Sequence, residues 1–335
     1  MLEKMTPQEK QQMAMMQRGM LDLQHLTTKL KPAAENPDAP VSTVTVLKAM
    51  AGAPCMKDAL GEERVPEGIR SKVTDEVLTT LETALIDAGA FAAGELASCE
   101  GDERRNVLLI YWHMHKQNLP DLEATLPQEV DQLRAGANQV VTTLLIKAQM
   151  LMPQNRWVQP TLAIARASAL ISTALWSHTD ERSLALMKTI LAEDELPMPK
   201  LSLKASAAPK NGGEEILAGQ QVCVRVVLTR EHAAVAGDGG PRPAPNNPQG
   251  IFEAYWLYVE GLKPEGTPNS LIVAKPMTVK DLETTEVADD AVFTAPPAAG
   301  SYTLRVHLTS TSVVGVELTA DVSFTVAEDD VPALE

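Results

Sequence analysis

Histidine is the residue type in this chain best suited to acid–base or metal chemistry, and its six copies are scattered. His113 and His115 are the nearest pair, but on a helix a spacing of two residues places side chains roughly 200° apart. A metal shared between them would need a spacing of three or four residues. The other four have no Cys or His at ligand spacing: His25, His178, His232 and His307. The sequence therefore predicts no metal site.

Motifs for nucleotide binding and nucleophilic catalysis are missing as well. The chain has no G-x-S-x-G elbow, no G-x-x-x-x-G-K loop and no G-x-G-x-x-G turn. Gly212-Gly213 and Gly239-Gly240 lie in predicted loops flanked by strands, where turn formation explains them. Adjacent acids such as Glu62-Glu63 and Asp289-Asp290 are typical of a solvated surface. We therefore expect a protein that is not an enzyme, with no catalytic residue and no cofactor.

Composition excludes further functional classes. The formal net charge of −15 repels phosphate backbones, so we expect no direct nucleic-acid partner. The three cysteines are odd in number and widely spaced, which favours a reducing compartment over a disulfide framework. The N-terminus carries charge where a signal peptide needs an apolar run, and no apolar stretch is long enough to span a membrane.

Helical periodicity dominates the first 196 residues. A methionine run at positions 13, 15, 16 and 20 predicts an apolar stripe on the first helix, typical of a core face, with an adaptable partner groove as the alternative. Ser42 is a candidate helix cap. Further helices are expected over 67–97 with a break at Gly89, from Asp102, after Pro127, and over 156–176 and 181–191.

Near residue 197 the period of apolar side chains changes from helical to alternating. Val222 to Thr229 and Tyr302 to Thr309 are the clearest strands, and about seven strands are expected in all. Residues 233–249 are rich in Gly, Pro and Asn and predict a long loop. The predicted fold is multidomain α plus β, an N-terminal helical bundle followed by an immunoglobulin/fibronectin type III-like β-sandwich. The predicted domains are 1–98, 99–196 and 197–330.

Three ordered segments carry a resemblance to a known family. They are Arg156–Ala163 followed by a helix ending in Leu175-Trp176; Glu253–Val259 with Asn269–Ile272, Pro276 and Thr278–Asp281; and Phe293–Pro296 with Tyr302–Leu304 and Ser310–Gly315. Together they resemble the Sec sixty-three domain, in which a W-x-x-P-x-L-A helix ends in LW and precedes a fibronectin type III-like sandwich. The resemblance covers roughly residues 100 to 326.

The resemblance implies a protein-interaction scaffold. One home of the family is the J-protein of the endoplasmic-reticulum translocon, whose cytosolic region docks on the protein-conducting channel during post-translational import. The other is the C-terminal cassette of Ski-two-like RNA helicases, which implies an accessory module of a nuclear ribonucleoprotein machine. The first implies the cytoplasmic side of the endoplasmic-reticulum membrane, with translocon subunits as partners and membrane contact only through them or a missing segment. The alternative is a cytosolic or nuclear location.

The chain also departs from the family pattern. It has no His-Pro-Asp motif of a J-domain, and only a short acidic stretch stands in place of the long acidic tail. Val313 stands where the family usually has Tyr, and Tyr255 where it often has Trp. We interpret the chain as a fragment or a divergent relative.

Most of the residues that carry the resemblance have structural explanations. These landmark residues are Trp157, Pro160, Trp176, Tyr255, Trp256, Asn269, Pro296 and Gly315. We expect Trp157 and Trp176 to fill gaps in the helical core, Trp256 to face the sandwich interior, and Gly315 to form a turn or bulge. The outward set of the Tyr302 strand is the candidate protein-binding surface, with a plain solvated strand as the alternative: Thr303, Arg305, His307 and Thr309.

Overall fold

The described helices end at Thr173 and the described strands begin at Leu201, so helices precede strands as predicted. The computed structural model describes residues 6–36, 41–61, 63–176, 200–231, 254–279, 284–311 and 314–328. The chain is therefore α plus β, with helices in its N-terminal part and sheets in its C-terminal part. Its contacts divide it into two compact units: a helical unit, Met1–Met152 with Gln159–Glu193, and a two-sheet unit, Pro153–Val158 with Asp194–Glu335. The predicted helix over 181–191 and the predicted loop over 233–249 lie outside the described residues.

The described helices are α1 (Pro7–Ala34), α2 (Thr43–Ala51), α3 (Pro54–Leu60), α4 (Glu67–Arg70), α5 (Asp75–Asp87), α6 (Gly101–His115), α7 (Pro120–Thr125), α8 (Gln128–Leu151) and α9 (Val158–Thr173). Side-chain caps set several boundaries. Ser42 Oγ accepts a hydrogen bond from Thr45 N at 3.1 Å, which confirms the predicted cap of α2. Pro54 begins α3. A proline is well suited to the first helical position, because the N–H donor that it lacks would have no partner within the helix.

The helix predicted over 67–97 is divided in the structure. Thr74 Oγ1 accepts from Val77 N at 3.4 Å and begins α5 after a turn, and α5 ends at Asp87. Gly89 then has a φ of 76°, a left-handed conformation that ends a helix at little cost for glycine. The prediction of helix from 89 to 97 is therefore wrong, and the predicted break at Gly89 is confirmed.

Helix α6 lies at the centre of the helical unit. Its ten residues from Asn106 to His115 are all buried, including polar ones. It packs against α2 and α5 on one side of the predicted boundary at 98/99 and against α8 on the other. Arg104 Nε donates to Glu82 Oε2 at 3.0 Å, and Asn106 Nδ2 donates to Ala51 O at 3.1 Å. The helices on both sides of residue 98 therefore form one unit rather than the two predicted regions.

Two methionines of the run on α1 do not lie on a core face. The Met15 side chain lies outside the described part of the chain. Met16 and Met20 are 64% and 65% exposed, and Met13 is half-buried. The buried side of α1 is formed instead by Asp22, Leu26 and Leu30, which are four residues apart. The core interpretation is wrong for Met16 and Met20, because the run alone did not show which side of the helix meets its neighbours. No helix among the described residues has the length and apolar character needed to cross a membrane.

The strands of the two-sheet unit are β1 (Leu201–Pro209), β2 (Ile216–Leu217), β3 (Gln221–Arg230), β4 (Ala254–Gly261), β5 (Ser270–Thr278), β6 (Glu286–Thr294), β7 (Gly300–Ser310) and β8 (Glu317–Ala327). They form a three-stranded sheet of order β1-β3-β6 and a five-stranded sheet of order β2-β8-β7-β4-β5. Alternate residues of both sheets meet in one hydrophobic core, for example Val224 of β3, Leu257 of β4 and Val306 of β7. The predicted strands are present, and β2 and the first half of β6 were not predicted.

Candidate protein-binding surface

The segment around Trp157 belongs with the strands. Trp157 forms an isolated antiparallel bridge with Ser270 at the start of β5, and Leu271 N donates to Arg156 O at 2.9 Å. Arg156 has a φ of 58°, an uncommon left-handed conformation for a residue with a Cβ. Trp157 is half-buried, and its backbone covers one end of the edge strand β5, which would otherwise present unpaired groups. The expectation that its side chain fills the helical core stays a prediction.

The other helical landmarks stay in the helical unit. Pro160 is buried in the first turn of α9, where a proline is tolerated. The half-buried indole of Trp176 lies 5.1 Å from the ring of His115, so its position agrees with the expected core role. Trp176 and His115 therefore contribute aromatic bulk to a core that is otherwise mainly aliphatic.

Strand β4 reverses the expected placement of its aromatics. Tyr255 is 2% exposed and belongs to the shared core, together with Leu257 and Val259. Trp256 lies on the opposite, outer face of the five-stranded sheet, stacked on Tyr258 with ring centroids 6.0 Å apart. The prediction that Trp256 faces the interior is wrong, because alternation along the strand allows only one of two adjacent aromatics to face inward.

Glu260 is a buried acid on the same outer face, and sequence reasoning missed it. It is 5% exposed, and its two carboxylate oxygens have different partners. His307 Nε2 lies 2.6 Å from Oε2, and Asn269 Nδ2 donates to Oε1 at 2.7 Å. The Asn269 side-chain oxygen accepts from Lys263 N at 2.8 Å and so closes the β4–β5 loop. We call Glu260, His307 and Asn269 the Glu260 network.

The network keeps Glu260 charged. Burial by itself raises the pKa of this carboxyl, but the hydrogen bonds from His307 and Asn269, with the nearby Arg305 charge, hold its pKa below the ordinary value. No signal in the sequence around Glu260 pointed to this role, because His307 is 47 residues away along the chain. Only the pairing of β4 with β7 brings the two together.

The predicted surface on β7 is partly covered. Leu304, Val306 and Leu308 face the core, so alternation correctly placed the predicted set on the outer face. Thr309, however, is 4% exposed, because it lies opposite the large indole of Trp256. Thr309 is thus removed from the accessible surface, and His307 is engaged by Glu260 with only 13% of its side chain exposed.

The accessible part of this face lies towards β8. Arg305 makes a two-bond ion pair with Asp321 at 2.8 and 2.9 Å, and the hydroxyls of Thr303 and Ser323 are 3.0 Å apart. We define the open β7–β8 surface as Thr303, Arg305, Glu317, Thr319, Asp321, Ser323 and Thr325. It is a flat, polar surface rather than a cleft, which suits contact with another protein better than enclosure of a small substrate.

The last two landmarks lie in connections between strands. The carbonyl of Pro296 accepts from Gly219 N at 3.4 Å. Gly315 precedes β8 with a φ of 82°, which confirms the expected turn. Ser310 N donates to Val316 O at 2.9 Å and closes this connection between β7 and β8.

Replacing Gly315 by alanine is expected to lower the free energy of unfolding of the two-sheet unit by about 1 kcal/mol. The Cβ of an L-residue is strained at this positive φ. Urea unfolding of the Gly315→Ala variant measures the change. Gly213→Ala provides the matched control, because Gly213 is exposed and has no positive φ. Equal stability of the two variants would show that a Cβ at position 315 causes no backbone strain.

His113 is held neutral in the helical unit. Its Nε2 lies 3.1 Å from Ile171 O, and Arg134 Nη1 lies 3.0 Å from its Nδ1. Because arginine can only donate, Nδ1 accepts and the ring proton is on Nε2. Burial, assisted by the charge of Arg134, lowers the pKa of His113 from 6.5 to about 4 despite the backbone hydrogen bond to Ile171.

Within the described residues, no group of three or more His, Cys, Asp or Glu side chains could hold a metal ion.

The free energy of unfolding is expected to fall as the pH drops from 6.5 to about 4, the interval between the unfolded and folded pKa of His113. In this interval the unfolded chain binds a proton that the folded chain cannot accept, so acid favours unfolding, by about 3 kcal/mol at its lower end. Urea unfolding at several pH values measures the slope. The His113→Gln variant, which cannot titrate, should show a smaller slope of the free energy of unfolding against pH. An unchanged slope would rule out His113 as the source of the pH dependence.

Comparisons with known proteins identify no family. No model of a known protein family matches the chain, and no curated protein matches it. Among solved structures, a β-glucosidase from Listeria innocua in complex with glucose aligns at 13% identity and a TM-score of 0.22, covering 38% of this chain and 16% of that one. The bacterial hydrophobin BslA aligns at 14% identity and a TM-score of 0.21, covering 38% and 95%. Spo0M, a sporulation control protein from Bacillus subtilis, aligns at 11% identity and a TM-score of 0.21, covering 39% and 49%. These likenesses are too low to indicate a function.

Proposed function

We propose that this chain is a non-catalytic scaffold of the Sec sixty-three type, and that its two-sheet unit is a fibronectin type III-like sandwich that docks on a protein-conducting channel. The strand orders β1-β3-β6 and β8-β7-β4 correspond to the A-B-E and G-F-C orders of immunoglobulin-like sandwiches. The proposal includes a site of action at the cytoplasmic side of the endoplasmic-reticulum membrane, with translocon subunits as partners.

One observation carries the proposal. Two of the sequence segments that resemble the family are more than 100 residues apart in the chain, yet they hydrogen-bond to each other through Arg156 and Leu271. The neighbouring Asn269 organises the β4–β5 loop and holds Glu260. These landmark residues thus have roles that depend on one another, which supports a common fold rather than a chance set of short matches.

The open β7–β8 surface is the proposed docking face. The neighbouring part of the same sheet face, at Tyr258 and Glu260, is buried, and Glu260 is held by contacts with His307 and Asn269. Hydroxyl and charged groups at its centre are suited to contacts with backbone and polar side chains of cytosolic channel loops. A flat polar surface of this kind gives specificity through the shape and placement of its hydrogen-bonding groups.

The proposal is tested by recovery of the channel from detergent-solubilised endoplasmic-reticulum membranes with the tagged, purified chain. Thr319 is exposed, lies opposite His307 and belongs to the open β7–β8 surface. The Thr319→Arg variant should recover little or no channel, because a long charged side chain blocks close approach. The control is Thr294→Arg, an equal change at an exposed position of the three-stranded sheet. Failure of the folded, unsubstituted chain to recover any channel subunit would refute the proposal.

A further inference from the structure

A cavity of about 250 Å³ lies in the helical unit. Side chains from α4, the turn after it, α6 and α8 line it: Glu67, Arg70, Ser71, Val73, Arg105 and Leu133. At about 30 Å³ for each water in the liquid, its volume corresponds to roughly eight water molecules. The cavity is therefore larger than a single structural water requires.

Two arginine nitrogens in this cavity lining have no acceptor. Arg70 Nε and Arg105 Nε are both shielded from solvent and have no hydrogen-bond partner among the residues that the structure describes. A buried N–H group without an acceptor is costly, and it is costlier on a charged group. The two groups come from different helices, α4 and α6, so their presence at one cavity depends on tertiary packing.

The remaining nitrogens of Arg105 are already used. Its Nη1 pairs with Asp102 at 2.9 Å, and its Nη2 donates to Leu60 O at 2.6 Å. These contacts fix the guanidinium and leave Nε as the donor still to be satisfied. Only 12% of the Arg105 side chain is exposed, so its charge is weakly screened by water.

The one acidic residue in the lining is the most exposed of the charged groups there. Glu67 pairs with Arg70 Nη2 at 2.5 Å, but 76% of its side chain is exposed, against 34% for Arg70. Solvent therefore screens the carboxylate more than the two guanidinium groups. Ser71 adds a hydroxyl whose bond to Gly68 O is long, at 3.4 Å. Glu67 and Asp102 each pair with one of the two arginines, while both Nε donors are without an acceptor among the described residues.

We propose that this cavity binds a small oxyanion, with phosphate as the test ligand. Its oxygens would accept from the Nε groups of Arg70 and Arg105 and from the Ser71 hydroxyl, which converts two unsatisfied donors into charge-assisted hydrogen bonds. The same chemistry would recognise free phosphate or a phosphoryl group on a larger molecule. The site does not depend on the proposed channel-docking role.

Titration calorimetry with sodium phosphate at constant ionic strength tests the site. Saturable binding by the full chain is expected, and Arg70→Gln should weaken it by about tenfold through loss of a charge-assisted hydrogen bond. Arg64→Gln removes the same charge from an exposed position that does not line the cavity, and it should leave the affinity unchanged. Equal weakening in both variants would show a general charge effect and overturn the site.

A second variant keeps the test independent of folding defects. Arg105→Lys retains the positive charge but removes Nε, so it should also weaken phosphate binding while circular dichroism reports an intact fold. A parallel titration with O-phosphoserine separates the two ligand sources. Free phosphate and O-phosphoserine should both bind if the cavity admits a phosphoryl group on a larger molecule, and free phosphate alone should bind if it does not. Absence of saturable phosphate binding by the unsubstituted chain would mean that water alone occupies the cavity, and the proposal would fail.

Discussion

Replacing Glu260 by alanine is expected to lower the free energy of unfolding of the two-sheet unit by about 3–5 kcal/mol. The carboxylate is 5% exposed and accepts from Asn269, and it lies 2.6 Å from His307. Its removal leaves buried polar groups without their partner, which is much more costly than the net value of the intact pair. The β4–β5 loop should also loosen, because Asn269 loses one of its two contacts. Urea unfolding followed by tryptophan fluorescence measures the loss.

The exposed ion pair in the same sheet supplies the contrast. Arg305 and Asp321 keep 42% and 50% of their side chains exposed, so Asp321→Ala should cost less than about 1 kcal/mol. A double-mutant cycle of Glu260→Ala with His307→Ala isolates the coupling between those two residues. Similar losses for the Glu260 and Asp321 variants, or a coupling near zero, would contradict the view that the Glu260 network holds the outer face together.

The network also makes stability depend on pH. The pKa of Glu260 in the folded chain lies below its ordinary value. The carboxylate therefore contributes fully to the free energy of unfolding at a pH above the ordinary carboxyl pKa, and this contribution is lost as the pH falls through the lowered folded pKa. This window lies at more acidic pH than the onset of the effect expected for His113. The two groups belong to different units, so variants at each position separate their effects.

Truncation of Trp112 to alanine is expected to cost about 3–5 kcal/mol in the helical unit. Trp112 is 1% exposed in the last turn of α6, which packs against α2, α5 and α8. Loss of the indole leaves a large void that the surrounding helices can fill only in part. Far-ultraviolet circular dichroism during urea unfolding measures the change.

Two controls show whether packing is the cause. Trp112→Phe keeps most of the apolar volume and should lose less stability than the alanine variant. Met150→Ala removes a large apolar side chain that is 62% exposed on α8, and it should change stability by less than about 0.5 kcal/mol. An alanine variant at position 112 as stable as the Met150 variant would show that α6 is not the packed centre of the unit.

Placement in space also explains why the landmark residues mislead when they are taken singly. Trp157 precedes a helix in the sequence, but its backbone pairs with a strand. Trp256 is the aromatic expected to face the sandwich interior, yet it is the adjacent Tyr255 that the alternation turns inward. For Trp256 the residue type was a good guide to partial burial and a poor guide to which side is buried.

Periodicity along the chain was enough to predict the order of helices and strands and the inward set of β7, because these depend on neighbours a few positions away. The caps at Ser42 and the turn at Gly315 could be predicted for the same local reason. The burial of Thr309 could not, because it depends on an indole in another strand, more than 50 residues away.

The candidate sites also combine features that depend on sequence neighbours with features that depend on tertiary contacts. Sequence alone determined that β7 carries an outward polar set and that the chain lacks familiar catalytic motifs. Only the tertiary structure decided that Glu260 meets His307, that the open surface lies towards β8, and that Arg70 and Arg105 line one cavity. Such encounters follow from the pairing of strands and the packing of helices, which brings together side chains whose separation along the chain leaves no local pattern.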